Sequence, residues 1–251
     1  MTLSTHRGGQ LRVPLTDGYW IYYLFGGPEY EPELASLLPR LLTGGEYFID
    51  CGANIGYWSV FASRLVAPQQ IFAVEPAGDT YRWLAANSEL NGGFHTMQRA
   101  VWSRSDIPLS ISANLERSAS TSVSTHGDGP TVQSISVDDL AAGIPPSSPI
   151  VVKLDVEGSE LAAFEGARRT LTRPSVFIYE DHGSDRASEN TRGVMTDLQL
   201  DVFYLNPTGR VELVASIDSL GAVKVDRTRG YNFAAAVHGS WGAKRLTEIS
   251  S

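Results

Sequence analysis

Three stretches of the chain hold residue types whose spacing can do chemistry. The first runs from Tyr47 to Phe61 and contains Asp50, Cys51, Gly52, Asn54 and Gly56; it reads as an apolar strand, a glycine-spaced turn and a helix. Glycines let a backbone approach a ligand closely, and a helix start directs free N–H groups at it, so an adenosyl cofactor fits this turn. A dinucleotide fingerprint opening at Gly52 would need glycine at 54 and glycine or alanine at 57, where the chain has Asn54 and Tyr57. That disfavours nicotinamide. Glu75, nineteen residues after Gly56, closes the next predicted strand before Pro76, where its carboxylate can accept hydrogen bonds from both ribose hydroxyls.

The second stretch is Val151 to Glu160, a buried strand ending in Asp155, followed by Glu157, a glycine turn and Glu160. Alternation puts Lys153, Asp155 and Glu157 on one side, so Lys153 can neutralise the acids. Asp155 and Glu157 are expected to be functional, and Glu160 to offset a helix dipole. The third stretch, Ile178 to His182, places Glu180 and His182 two residues apart at a strand end. In open parallel sheets the ligand crevice lies beyond the carboxyl ends of the strands, which collects Gly52, Glu75, Asp155, Glu180 and His182. Asp155, Glu157, Glu180, Asp181 and His182 could also form an oxygen-rich site for magnesium or manganese. With Lys153 balancing the acids, no metal is expected.

The elements that must position these residues alternate from Glu46 onward. Predicted strands at 46–50, 70–75, 96–101, 150–155 and 175–180 are separated by helical stretches at 55–66, 78–90 and 160–171. This implies an α/β fold with a parallel sheet and helices on both faces. Two further strands, 200–205 and 231–238, are expected to pair as an antiparallel hairpin at the sheet edge. Residues 31–42 predict an amphipathic helix, with Pro39 as an interruption, and residues 1–45 an N-terminal extension packed on the core domain at 46–251. The Ser- and Gly-rich segment 110–130 is expected to be a flexible insertion, either a solvated loop or a lid over the acceptor. Asn87 and Asn91 are read as caps or surface groups.

Composition limits the function classes. Hydrophobic residues make up 42% and charged residues 19%, enough to bury a core. A formal charge of −8 opposes a nucleic-acid surface, which needs clustered Lys and Arg. Cys51 is the only cysteine, as expected in a reducing compartment, and no apolar run approaches a transmembrane length. A cytoplasmic protein without a nucleic-acid or membrane partner is expected; the oligomeric state is not legible.

Asp50-Cys-Gly-Ala-Asn-Ile-Gly56, Glu75-Pro76 and Lys153-Leu-Asp-Val-Glu-Gly-Ser-Glu160 together resemble the FkbM family of S-adenosylmethionine-dependent methyltransferases. The likeness extends over most of residues 30 to 182. It implies a Rossmann-like class I methyltransferase fold with a seven-stranded sheet, and O-methylation of a sugar, polyketide or other secondary metabolite as the small-molecule acceptor. Residue by residue, it implies that Asp50, Gly52, Asn54 and Gly56 hold the methionine end of S-adenosyl-L-methionine, that Glu75 holds its ribose and that Glu31 touches its amino group. A hydroxyl acceptor sheds a proton, and His182, oriented by Glu180 or Asp155, is the expected base, its ordinary pKa being about 6.5. An N-methyltransferase, a noncatalytic cofactor-binding protein and a nicotinamide oxidoreductase remain as alternatives.

Overall fold

Elements follow one another along the chain in a computed structural model that describes residues 1–5, 7–113 and 121–251. A hairpin of β1 (Thr2–Ser4) and β2 (Gln10–Arg12) leads into helices α1 (Gly18–Leu24) and α2 (Pro32–Leu41). Next come β3 (Tyr47–Cys51), α3 (Tyr57–Ala62), β4 (Ile71–Val74), α4 (Gly78–Leu90) and β5 (His95–Met97). The middle of the chain holds β6 (Ala100–Val101), β7 (Pro108–Ala113), β8 (Thr121–Ser124), β9 (Thr131–Ile135) and the short α5 (Val137–Leu140). Then follow β10 (Ile150–Leu154), α6 (Glu160–Glu165), β11 (Ser175–His182), α7 (Glu189–Thr196) and β12 (Leu200–Leu205). The chain ends in β13 (Val211–Leu213), α8 (Leu220–Val223), β14 (Gly230–Val237) and α9 (Trp241–Ser250).

Eight of the described strands form one sheet in the order β13-β12-β14-β11-β10-β3-β4-β5. From β11 to β5 every pairing is parallel, and β14, β12 and β13 pair antiparallel. Setting aside the short β13, this is the seven-stranded class I methyltransferase order. β12 and β14 pair antiparallel, as expected, with β14 lying inside, between β11 and β12. Its run Phe233-Ala-Ala-Ala236 is buried on both faces, which suits an interior strand. The chain leaves β3 for β4 on one side and returns to β10 on the other, so a crevice opens beyond the C-terminal ends of these strands.

Alternation along the strands divides the core into two layers. Phe48, Val151, Ile178 and Ala234 pack under α2, α3, α4 and α9 with Leu37, Phe61, Leu84 and Leu246. Ile49, Val152, Phe177 and Ala235 pack on the other face against Leu140, Phe164, Val194 and Leu220. α2 runs through Pro39. A mid-helix proline costs about 3 kcal/mol, and burying Leu34, Leu37, Leu38 and Leu41, at about 1.5–3 kcal/mol each, outweighs it.

Several elements differ from the residue pattern. The run 96–101 is two strands: β5 joins the large sheet, whereas β6 joins a second sheet in the order β6-β9-β7-β8. Within 110–130, residues 110–113 and 121–124 are therefore strand, packed on Leu109 and Val132 through Ile111 and Val123, 125–130 form the turn that follows, and 114–120 lie outside the described residues. Asn91 is the C-cap of α4, as expected, whereas Asn87 is a buried residue inside the helix and caps nothing. Their amides bond the backbone of Arg12 and Gln10, tying the N-terminal hairpin to α4. Among the described residues no helix is long and apolar enough to cross a membrane.

Candidate active site

A cavity of about 610 Å³ lies over the sheet edge where β3, β4, β10 and β11 end. Glu31, Gly52, Asn54, Glu75, Asp155, Glu180 and His182 all line it, as does Glu157. Asp50 and Gly56 do not. Asp50 points under α3, where its Oδ2 accepts from Ser59 Oγ at 2.6 Å, and a Cβ on Gly56 would meet Leu84 at 2.7 Å. Both are residues of the packed layer beneath the turn, because strand alternation turns Asp50 to the same face as Phe48.

Over β3 and β4 the wall is built from the glycine turn. Gly52 has φ +75°, and a Cβ there would lie 1.8 Å from the Asp155 carbonyl oxygen, so only glycine lets the two strand ends pass. Asn54 N–H donates to Glu75 Oε2 at 3.0 Å and Ala77 N–H to Oε1 at 2.9 Å. Burial nevertheless pushes the Glu75 carboxyl up to about 7. Asn54 Oδ1 accepts from Trp20 Nε1 at 3.0 Å, which brings α1 onto the turn.

Glu31 enters from the start of α2. Its carboxylate accepts from Trp58 Nε1 at 2.6 Å and from Asn232 Nδ2 at 2.9 Å. Burial pushes it up to about 7, against the pull of the Lys153 charge. Lys153 itself is buried and donates to Asp155 Oδ2 at 2.8 Å. Desolvation alone would lower its pKa; the charges of Asp155, Asp50 and Glu31 reverse that and keep it an ammonium. The expected neutralisation of the acids by Lys153 is thus a direct contact.

Six non-glycine residues among those described have positive φ, and three of them, Glu31 (φ 42°), Asn54 (φ 53°) and Glu157 (φ 48°), line this cavity. Such backbone is costly and concentrates at ligand sites. Partial burial, then the charges of Asp155 and Glu160, push the Glu157 carboxyl up to about 7. Glu160 lies off the cavity, accepting from Gly158 N–H and Asn190 Nδ2 at the start of α6.

The end of β11 separates its three polar residues by alternation. Glu180 and His182 face the cavity, whereas Asp181 is buried on the other face, where its carboxylate accepts from Lys224 Nζ at 2.7 Å and Thr191 Oγ1 at 2.6 Å. Asp181 therefore cannot join the other acids around one ion. No hydrogen bond links His182 to Glu180 or Asp155; its Nδ1 lies 2.7 Å from Ser184 Oγ and accepts from Ser184 N–H at 3.2 Å. Burial thickens around Cys51 too, which pushes its thiol well up and leaves it an apolar filler.

Trp20, Tyr19, Tyr23, Arg229 and Asn232 also line the cavity, and residue-pattern reasoning passes over all of them. The aromatic density of residues 19–30 was the available signal for the first three, and a lone Asn inside an apolar strand the signal for the last.

The profile of the methyltransferase FkbM domain matches residues 50–205. Hexuronic acid methyltransferase AglP of Haloferax volcanii is 33% identical over 153 residues, which are 61% of this chain and 62% of that relative. The match thus spans less than two thirds of the relative's length. Among solved structures, precorrin-6y C5,15-methyltransferase from Geobacter metallireducens superposes with a TM-score of 0.46 at 11% identity, covering 82% of this chain and 87% of that one. Fibrillarin of Aeropyrum pernix, solved with natively bound S-adenosyl-L-methionine, gives 0.45 at 13% identity, covering 81% and 74%.

Proposed function

Because the chain belongs to the FkbM methyltransferase family, whose methyl donor is S-adenosylmethionine, we propose that it transfers that methyl to a hydroxyl of a small sugar acceptor, with a hexuronic acid as the first candidate. The observation that carries this reading is the single cavity that joins the Gly52 turn and Glu75 at one end to Glu180 and His182 at the other. Its size suits a cofactor with a small acceptor, since such sites run from about 300 to 1,000 Å³.

The donor set fits the cofactor's chemistry. S-adenosylmethionine carries an ammonium, a sulfonium and a ribose diol, and the cavity presents carboxylates whose burial makes them costly to ionise alone. Glu75 keeps lone pairs free for the ribose, Gly52 and Asn54 bring backbone close, and Glu31 and Asp155 face the cationic end. When bound, the group supplies a methyl already activated on a sulfonium. The protein's own task is to hold the acceptor oxygen in line and exclude water.

The acceptor half lies toward β11 and β14, walled by Tyr19, Tyr23, His182 and Arg229. β8 adds Val123, which gives the insertion a face on the cavity and a part in acceptor selection. Aromatic rings suit the apolar face of a sugar, and Arg229 suits a carboxylate. That the relative is a hexuronic acid methyltransferase supports that pairing.

Incubation with labelled S-adenosylmethionine and glucuronic acid should yield S-adenosylhomocysteine and an O-methylated sugar by mass spectrometry. Methylation of an amino sugar alone would replace the O-transfer reading with N-transfer. Cofactor binding without turnover on any sugar would leave a binding protein.

A further inference from the structure

A hydroxyl that gains a methyl must lose its hydrogen, and two side chains at the end of β11 face the acceptor half. An N–H group can only donate, so the bond from Ser184 N–H makes His182 Nδ1 the accepting nitrogen. The neutral ring then carries its hydrogen on Nε2. His182 thus offers the cavity a donor in place of a lone pair.

Glu180 offers the reverse. No donor among the described residues reaches its carboxylate, although Asn232, its register partner on β14, bonds Glu31 and Glu33. Its carboxyl group lies against the bare α-carbon of Gly230. A Cβ on residue 230 would sit 2.1 Å from Oε1, 2.2 Å from Cδ and 2.5 Å from Oε2, far inside contact distance for all three atoms. A side chain at 230 would therefore push the flexible end of Glu180 out of this position, and the cavity is the side left for a donor to approach.

We propose that Glu180, and not His182, receives the acceptor's proton, and that Gly230 is the positioning residue that admits the carboxylate to the cavity. This rests on the methyl-transfer reading of the site. In the step, a lone pair of the acceptor oxygen forms the new O–C bond while the donor's S–C bond breaks, its electron pair remaining on sulfur. The hydroxyl proton passes to the Glu180 carboxylate, giving a neutral acid. One positive and one negative charge disappear together, which a poorly solvated site favours. Nε2–H of His182 is left to hold the acceptor by a hydrogen bond.

The charged and titratable groups around Glu180 are Asp155 and Glu157 after β10, Lys153 on β10, Glu31 at the start of α2, and His182 and Arg229 at the cavity edge. Burial first, and then the charges of Asp155, Glu31 and Glu157, hold its carboxyl well above the ordinary range, making it a stronger base once ionised.

Glu180→Gln and Gly230→Ala, each in the full chain, test this with three readouts. S-adenosylmethionine affinity by calorimetry should stay within about threefold of wild type, under 1 kcal/mol. Turnover of glucuronic acid should fall by about 10²–10⁴ in both variants. Carbon-13 titration of the ligand-free protein should show a high-titrating carboxyl that is missing in Glu180→Gln and shifted toward ordinary values in Gly230→Ala. The acid limb of the kcat profile should persist in His182→Gln. Wild-type turnover in the isosteric Glu180→Gln overturns the proton assignment, and an unshifted Glu180 titration in Gly230→Ala overturns the positioning role. A wild-type protein that binds cofactor but methylates no hydroxyl overturns the functional reading, and the proton assignment with it.

Discussion

Glu75 is held at the cavity by two backbone N–H groups, one on each oxygen, which fix its direction before any ligand arrives. The proposed ribose contact uses the lone pairs that remain. Losing a charge-assisted hydrogen bond costs about 1.5–3 kcal/mol, so Glu75→Ala should weaken S-adenosylmethionine binding roughly tenfold to a hundredfold. Calorimetry decides this, and unchanged affinity would move the ribose elsewhere. The same residue shows why spacing was a good guide here: a carboxylate closing the strand after a glycine turn has its place set by local chain geometry. Asp50 had the same kind of motif support, yet one step of strand alternation sends it under α3 to Ser59.

At the scale of elements, the segment after β11 is anchored by a buried ion pair. Lys224, at the C-terminal end of α8, donates to Asp181 Oδ1, to the Asp185 carbonyl at 2.6 Å and to Ser188 Oγ at 3.2 Å. Both charged side chains are almost wholly inaccessible, at 2% and 1% exposure. Removing one partner leaves the other charge unpaired in the interior, so Lys224→Ala should lose about 3–5 kcal/mol of stability. Urea denaturation measures it, and a loss under about 1 kcal/mol, the value for a surface pair, would mean that water reaches the site. Because this pair joins α8, α7 and the end of β11, it supports the strand end that carries His182 and the turn that carries Ser184.

For the whole molecule, the acids of the cavity make stability depend on pH. Glu31 and Glu75 are pushed up to about 7, mainly by burial. In the unfolded chain they titrate near 4.3. Between these values the folded state binds more protons than the unfolded state, so the stability they contribute at low pH is lost as pH rises through about 4.5 to 7. Self-repulsion at a formal charge of −8 acts in the same direction. The thermal midpoint of the ligand-free protein should therefore fall between about pH 5 and 7.5. S-adenosylmethionine, with two cationic groups, should release protons on binding and reduce the fall. Calorimetry in buffers of different ionisation enthalpy reads the protons, and a midpoint that rises over this range would mean the acids ionise without cost.

Local pattern alone determined the α/β alternation, the positions of β3, β4, β10 and β11 to within a residue or two, and the glycine turn with Glu75 at the next strand end. Period-two burial and glycine turns act over a few residues, so they are written where they occur. Only the tertiary structure decided that β14 lies inside the sheet, that 96–101 divides between two sheets, and that Trp20, Tyr23 and Asn232 share a cavity with Glu31. The Glu31–Asn232 contact joins residues 201 positions apart, and no local period records a pairing of that separation. The room beside Gly230 belongs to the same class: it depends on β14 lying antiparallel against β11, a consequence of sheet order and register that composition and spacing do not encode.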